Sequence, residues 1–253
     1  MIYTVIADIK NFNADKFLEK CVSGEDFFKI EKCRINPLPS SVYALPSISV
    51  ELLDHIRSVS NERLRKERCG AYLLLSAVVK NMLGFVPEVK FSQNGKPFFE
   101  REWGIYFNLS HTNDLVAVSL SDEGSVGVDA EAEISPERAA RLEARFFSEL
   151  SINSRPLDVR YAFCKIDESG EIDLAAVEAD FSSEICIHKS TIARVNYTCD
   201  FGARWTLYEA SLKCNGGGFT SLPCLGMLLL ETKADVLRLK TDHGEYFITT
   251  ASV

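Results

Sequence analysis

Absences set the first limits on this chain of 253 residues. No stretch approaches 18 consecutive apolar residues, so no membrane-spanning helix is expected. The opening MIYTVIADIK lacks a basic segment followed by an apolar one, so no export signal is expected. Eight cysteines are scattered without a C-x-x-C pair or a cysteine–histidine zinc spacing, which removes the common zinc-stapled folds. Reduced thiols in a cytoplasmic protein are the expectation, many of them core residues. Positive charge is also scarce. The 28 Lys and Arg against 36 Asp and Glu leave a net charge of −8, which argues against a general nucleic-acid binder. Neither an internal repeat nor a low-complexity tract breaks the chain.

What remains is 46% hydrophobic and 25% charged, enough for one large domain or two small ones. MIYTVIADI reads as a strand rich in β-branched residues. A proline-bearing loop leads to the short helix ELLDHIRSV. Ser60 or Asn61 then caps a longer helix that Gly84 closes as a left-handed C-terminal residue. Strands are expected at VKF, IYFNLS and LVAVSLS. The polar turn Ser121–Ser125 divides the chain into halves, 1–122 and 123–253. Beyond it, SVGVDAEA reads as a strand and Ser135-Pro136 opens a helix. The segment of about 149–204 is expected to be an elaboration outside the chemistry, with a hairpin near Asp167–Gly170 and a strand near EICIHKS. RWTLYEASLK reads as a helix, and the C-terminus as a hairpin around DHG.

The stretch GVDAE raises a physical problem. Strand side chains alternate, so Asp129 and Glu131 share a face, and two like charges there resist burial. A solvated edge or a divalent cation with oxygen ligands would compensate. Trp205, Glu209 and Lys213 share a helical face and add a third carboxylate beside a cation. Taken alone, Glu209 and Lys213 read equally as a surface ion pair. Oxygen-only donors point to Mg²⁺ or Mn²⁺ rather than zinc. Candidate anion-binding groups are Lys96 in the turn Gly95-Lys96-Pro97, the pair Ser110-His111, and the basic run Arg63–Arg68. Each of these alone is more often a turn, a polar strand end or a solvated helix face. A Ser110–His111 nucleophile pair is disfavoured, because adjacent strand residues face opposite sides.

Five motifs occur in order: GKP (95–97), FNLSH (107–111), VGVDAE (126–131), RFFS (145–148), and WTLYEASLK (205–213) followed by Gly216 and Gly218. In these the chain resembles 4′-phosphopantetheinyl transferases of the surfactin-synthetase-activating type. The likeness spans residues 91–219 and fades in the first 50 and last 30. It implies an α+β fold of two similar halves about a pseudo-twofold axis, with the active site at their junction. The implied reaction moves the phosphopantetheine arm of coenzyme A to a serine of an apo acyl or peptidyl carrier protein, releasing 3′,5′-ADP. By the same resemblance Asp129, Glu131 and Glu209 hold Mg²⁺, or Mn²⁺. Lys96 with Pro97, Ser110, His111 and Lys213 contact coenzyme A, and Arg63 or Arg68 reaches its 3′-phosphate. Glu209, Lys213 and His111 are the implied catalytic groups, and a monomer is expected. One departure is that Tyr208 stands where such transferases usually carry lysine. It keeps open an alternative: a relative that binds coenzyme A or a carrier without transfer.

Overall fold

Strand β1 (Ile2–Asp8) is buried almost throughout rather than at alternate residues, the pattern of a strand with neighbours on both edges and cover on both faces. The computed structural model describes residues 1–23, 50–146, 154–177, 185–187, 190–196, 200–216 and 232–253. Helices α1 (Ala14–Ser23), α2 (Val50–Arg57) and α3 (Glu62–Leu83) follow β1. A small hairpin of β2 (Lys90–Phe91) and β3 (Pro97–Phe98) precedes β4 (Tyr106–Thr112) and β5 (Leu115–Ser121). Next come β6 (Val126–Ala132), α4 (Pro136–Phe146), β7 (Arg155–Pro156), β8 (Arg160–Ile166) and β9 (Ile172–Val177). The chain ends with β10 (Ile185–Ile187), β11 (Ser190–Arg194), α5 (Phe201–Asn215), β12 (Lys233–Thr241) and β13 (Gly244–Ser252). Two main sheets with few helices make this an α+β arrangement.

Local signals account for the long helices. Asn61 accepts from the Leu64 amide at the start of α3, and Gly84 adopts φ 80° to close the other end on Lys80 O. Asp200 caps α5 by accepting from the Gly202 amide, and Gly216 at φ 71° ends it. Helix α1 has no counterpart among the elements expected from the sequence, where Pro37, Pro39 and Pro46 made the whole region read as loop.

One sheet has the order β4-β5-β1-β8-β9 and the other β10-β11-β12-β13-β6, with β7 pairing β12. In the first, β1 runs antiparallel to β5 and parallel to β8. That pairing corrects the reading of residues 149–204 as an elaboration tolerated at the surface. Tyr161, Ala162, Phe163 and Cys164 of β8 are buried beside β1, so this part of the segment builds the core. His188 of EICIHKS lies outside the described residues.

The two sheets meet along β4 and β6. Asn108 Oδ1, Ser110 Oγ and Thr112 Oγ1 accept from the backbone amides of Val128, Ala130 and Ala132 at 3.1, 3.1 and 3.3 Å. Three polar side chains at alternate positions of β4 therefore satisfy the open amide edge of β6. Deeper in, Thr4 Oγ1 bonds Ser119 Oγ at 2.6 Å and Thr250 Oγ1 at 2.7 Å, tying β1, β5 and β13 through buried hydroxyls.

Candidate active site

Helix α5 lies directly on β6, and Gly127 permits the approach. A Cβ there would stand 2.6 Å from Cys214 N and closer still to the Ala210 carbonyl oxygen. The glycine of GVDAE is thus demanded by helix–strand contact, and that contact brings Asp129 under Lys213.

Asp129 is buried, and its Oδ1 receives hydrogen bonds from Lys213 Nζ at 2.6 Å and Ser110 Oγ at 3.0 Å. Lys213 Nζ also donates to Ser110 Oγ at 3.0 Å. With the Ala130 amide as a second donor, the Ser110 hydroxyl has one donated and two accepted bonds, and all are within the protein. Lys96 Nζ reaches the Lys213 carbonyl oxygen at 2.7 Å, at the C-terminal end of α5. Its turn is held by Gly95 at φ 75° and by Ser92, whose Oγ accepts from the Lys96 amide at 3.0 Å. Pro97 begins β3 directly behind it. Burial pushes the Lys96 ammonium below its ordinary value, since a carbonyl repays less of the desolvation than a carboxylate would.

The three acids influence one another. Glu209 is pushed up to about 7, first by burial and then by Asp129, with Glu131 adding and Lys213 opposing. Glu131 is raised by burial and by Asp129, while Arg138, 3.1 Å from its Oε1, pulls it back. Asp129 Oδ2 is buried and has no hydrogen-bond partner within the protein. An orphaned carboxylate oxygen and two acids raised by a third are what a hard cation with oxygen ligands would relieve, so the donor set fits Mg²⁺ or Mn²⁺. Among the described residues, though, no three Asp, Glu, His or Cys side chains already enclose an ion. Lys213 supplies the positive charge beside Asp129 instead.

His111 leaves β4 on the other side. Its Nδ1 lies 2.8 Å from Glu67 Oε2 on α3, while Arg63 Nε donates to Glu67 Oε1 at 2.9 Å. Arg63 also donates to Asn113 Oδ1 in the β4–β5 turn, where Asn113 holds φ 52°. Burial alone would raise the Glu67 carboxyl, but its bonds to His111 and Arg63 outweigh that and hold it below the ordinary value. The structure thus sorts the expected residues into two groups. Asp129, Glu131, Glu209, Lys213, Ser110 and Lys96 gather where β4, β6 and α5 meet; His111 and Arg63 gather on the α3 side of β4. Arg68 is separate from both, facing His55 and Tyr72: burial and then the Arg68 charge lower the His55 imidazole, while burial raises the Tyr72 hydroxyl to about 12 against the opposing pull of Arg68. Sequence reasoning missed Glu67, the one acid inside the basic run Arg63–Arg68. Its signal was the spacing of four from Arg63.

Tyr208 is fully buried and stacks on Trp205, with ring centroids 5.9 Å apart and Phe146 6.2 Å away. It fills the aromatic cluster behind α5, so the residue in place of the usual lysine does structural work here. The Phe147 and Ser148 of RFFS, and Gly218, lie outside the described residues.

No family model matches the chain. Part of it is similar to 4′-phosphopantetheinyl transferases, which bears out the resemblance read from the motifs. The relatives are the 4′-phosphopantetheinyl transferase AcpT of Escherichia coli strain K12 and that of Salmonella typhi. The first is 40% identical over 76 residues, 30% of this chain and 37% of the relative. The second is 39% identical over 64 residues, 25% of this chain and 33% of the relative. The chain therefore spans about a third of the length of these curated relatives. No helix among the described residues is long and apolar enough to cross a membrane.

Proposed function

We propose that the protein transfers the 4′-phosphopantetheine arm of coenzyme A to a serine of an apo acyl or peptidyl carrier protein, releasing 3′,5′-ADP in a Mg²⁺-dependent reaction. The observation that carries this reading is the mutual influence of Asp129, Glu131 and Glu209 around Lys213, where β6 meets α5. The names of the partial relatives support the same chemistry. Two halves about a pseudo-twofold axis belong to this proposal. In support, β1, α3, β4 and β5 give the strand order β4-β5-β1, and β6, α5, β12 and β13 give β12-β13-β6. The division falls after residue 122, and the protein works as a cytoplasmic monomer.

Asp129, Glu131 and Glu209 would hold the cation, which supplies neutralising charge to the pyrophosphate as a P–O bond to the ADP portion breaks. The protein's own groups bind and orient. Lys213 and Lys96, at the end of α5, offer cations to the phosphates, and His111 and Arg63 offer others from the α3 side. In the transfer the carrier serine oxygen forms the new bond to phosphorus and its proton passes to a base. Glu209 is the candidate, being the one of the three acids without a hydrogen-bond or ion-pair partner among the described residues. Positioning supplies much of the barrier reduction, since a carboxylate is a weak base for an alcohol.

A second reading rests on the Lys213–Asp129 ion pair, which neutralises the buried aspartate without any metal. A protein using that arrangement would bind coenzyme A or a carrier and transfer nothing. Incubation with coenzyme A, Mg²⁺ and an apo carrier, followed by weighing the carrier, separates the two. A mass gain of one phosphopantetheine arm, lost when Mg²⁺ is chelated, is expected. An unchanged carrier mass overturns the transferase reading.

A further inference from the structure

We propose that Glu67 is a positioning residue whose buried carboxylate fixes the His111 ring and the Arg63 guanidinium, so that one carboxylate holds an imidazole and a guanidinium outward as a phosphate-binding pair. The identity of the ligand, coenzyme A, rests on the functional reading above. The geometry of the clamp does not.

A carboxylate on a side chain only 6% exposed needs partners for its charge. Glu67 has one for each oxygen: His111 Nδ1 at 2.8 Å and Arg63 Nε at 2.9 Å. The partners are far more open, with side chains 30% and 66% exposed. The acid is therefore inside and its imidazole and guanidinium partners face out, on a protein whose net charge is −8. A carboxylate only accepts, so the proton must sit on Nδ1 of the imidazole. That fixes the ring through one nitrogen and leaves Nε2 for another partner. A phosphate oxygen brings negative charge that favours a second N–H at Nε2, giving a charge-assisted bond. Arg63 is braced from two elements, Glu67 on its own helix and Asn113 across the β4–β5 turn. It reaches its position with part of its rotamer freedom already spent.

A bare structural staple between α3 and β4 would show the same contacts but different energetics. The test titrates coenzyme A by calorimetry into the full-length protein as wild type, Glu67→Gln, His111→Ala and the double variant. In parallel, proton NMR of the ligand-free protein follows the His111 ring N–H. A downfield ring proton in wild type, absent in His111→Ala and lost or moved upfield in Glu67→Gln, is expected. Each single variant should bind coenzyme A roughly tenfold more weakly. The double variant should lose much less than the product of the two single losses, because Glu67 acts largely through the ring. Multiplying losses overturn the proposal, as does full affinity in Glu67→Gln when His111→Ala is impaired. A ring proton unchanged in Glu67→Gln overturns it too. If wild type binds no coenzyme A, the functional reading falls, and the ring proton still decides whether Glu67 sets the imidazole. Should Glu67→Gln fail to fold, absence of the downfield proton in wild type refutes the clamp, and its presence there with loss in His111→Ala supports it.

Discussion

Lys213 Nζ stands 2.6 Å from Asp129 Oδ1, although Glu209 lies one turn earlier on the same helix. The helical partner loses to the strand partner because α5 rests on β6 over Gly127, which brings the ammonium down onto a buried carboxylate. A buried acid gains more from a cation than a less buried one does.

Replacing Lys213 by alanine should weaken coenzyme A binding at least about tenfold in calorimetry, since it removes a charge-assisted donor. It also strips Asp129 of its cation, so a lower melting temperature is expected near neutral pH. Unchanged affinity would remove Lys213 from the ligand site.

Glu209 offers a pH test with a definite sign. Its carboxyl is raised from 4.5 to about 7 in the folded protein, so the unfolded chain sheds the proton first as pH rises. Stability contributed by this group is present below 4.5 and is lost as pH climbs towards 7. Glu209→Gln should therefore melt a few degrees higher than wild type at about pH 8 and nearly alike at about pH 5. Added Mg²⁺ should raise the wild-type melting temperature at the higher pH, and less so in the variant. Parallel melting curves for both proteins across the range would contradict the burial of this charge.

Gly127→Ala should cost at least roughly 3 kcal/mol or prevent folding. The added methyl meets backbone atoms of α5, which cannot shift without moving Lys213 and Glu209. Denaturant unfolding measures it, and a loss under about 1 kcal/mol would show that helix and strand do not touch as described.

Tyr208→Lys tests whether the tyrosine is structural. An ammonium among Trp205, Phe146 and Leu212 has, among the described residues, Glu209 as its neighbouring carboxylate, so a loss of a few kcal/mol is expected. Tyr208→Phe, which keeps the ring, should lose less than half as much. A lysine variant as stable as wild type would place this position at the site rather than behind it.

Helix α3 was legible from Asn61 to Gly84 because caps are local chemistry, and so was the C-terminal hairpin around Asp242 and His243. The pattern RWTLYEASLK places the start of α5 at Arg204, whereas the helix begins three residues earlier at Phe201, where Asp200 caps it. The parallel pairing of β1 with β8 was not legible at all. Parallel strands need a crossover, and nothing in the apolar run RYAFCKI names its neighbour.

Within the candidate site, local periodicity was enough to put Asp129 and Glu131 on one strand face and Glu209 and Lys213 on one helix face. Alternation likewise separated Ser110 from His111. Which groups stand opposite those faces was decided by sheet edge, register and helix packing. Ser110 met β6, His111 met Glu67 44 positions away, and Lys213 met Asp129 84 positions away. Side-chain direction follows from the dihedrals of a residue and its neighbours. The partner that pairs with a charge depends on which distant backbone is allowed to come close, and here a missing Cβ at Gly127 allowed it.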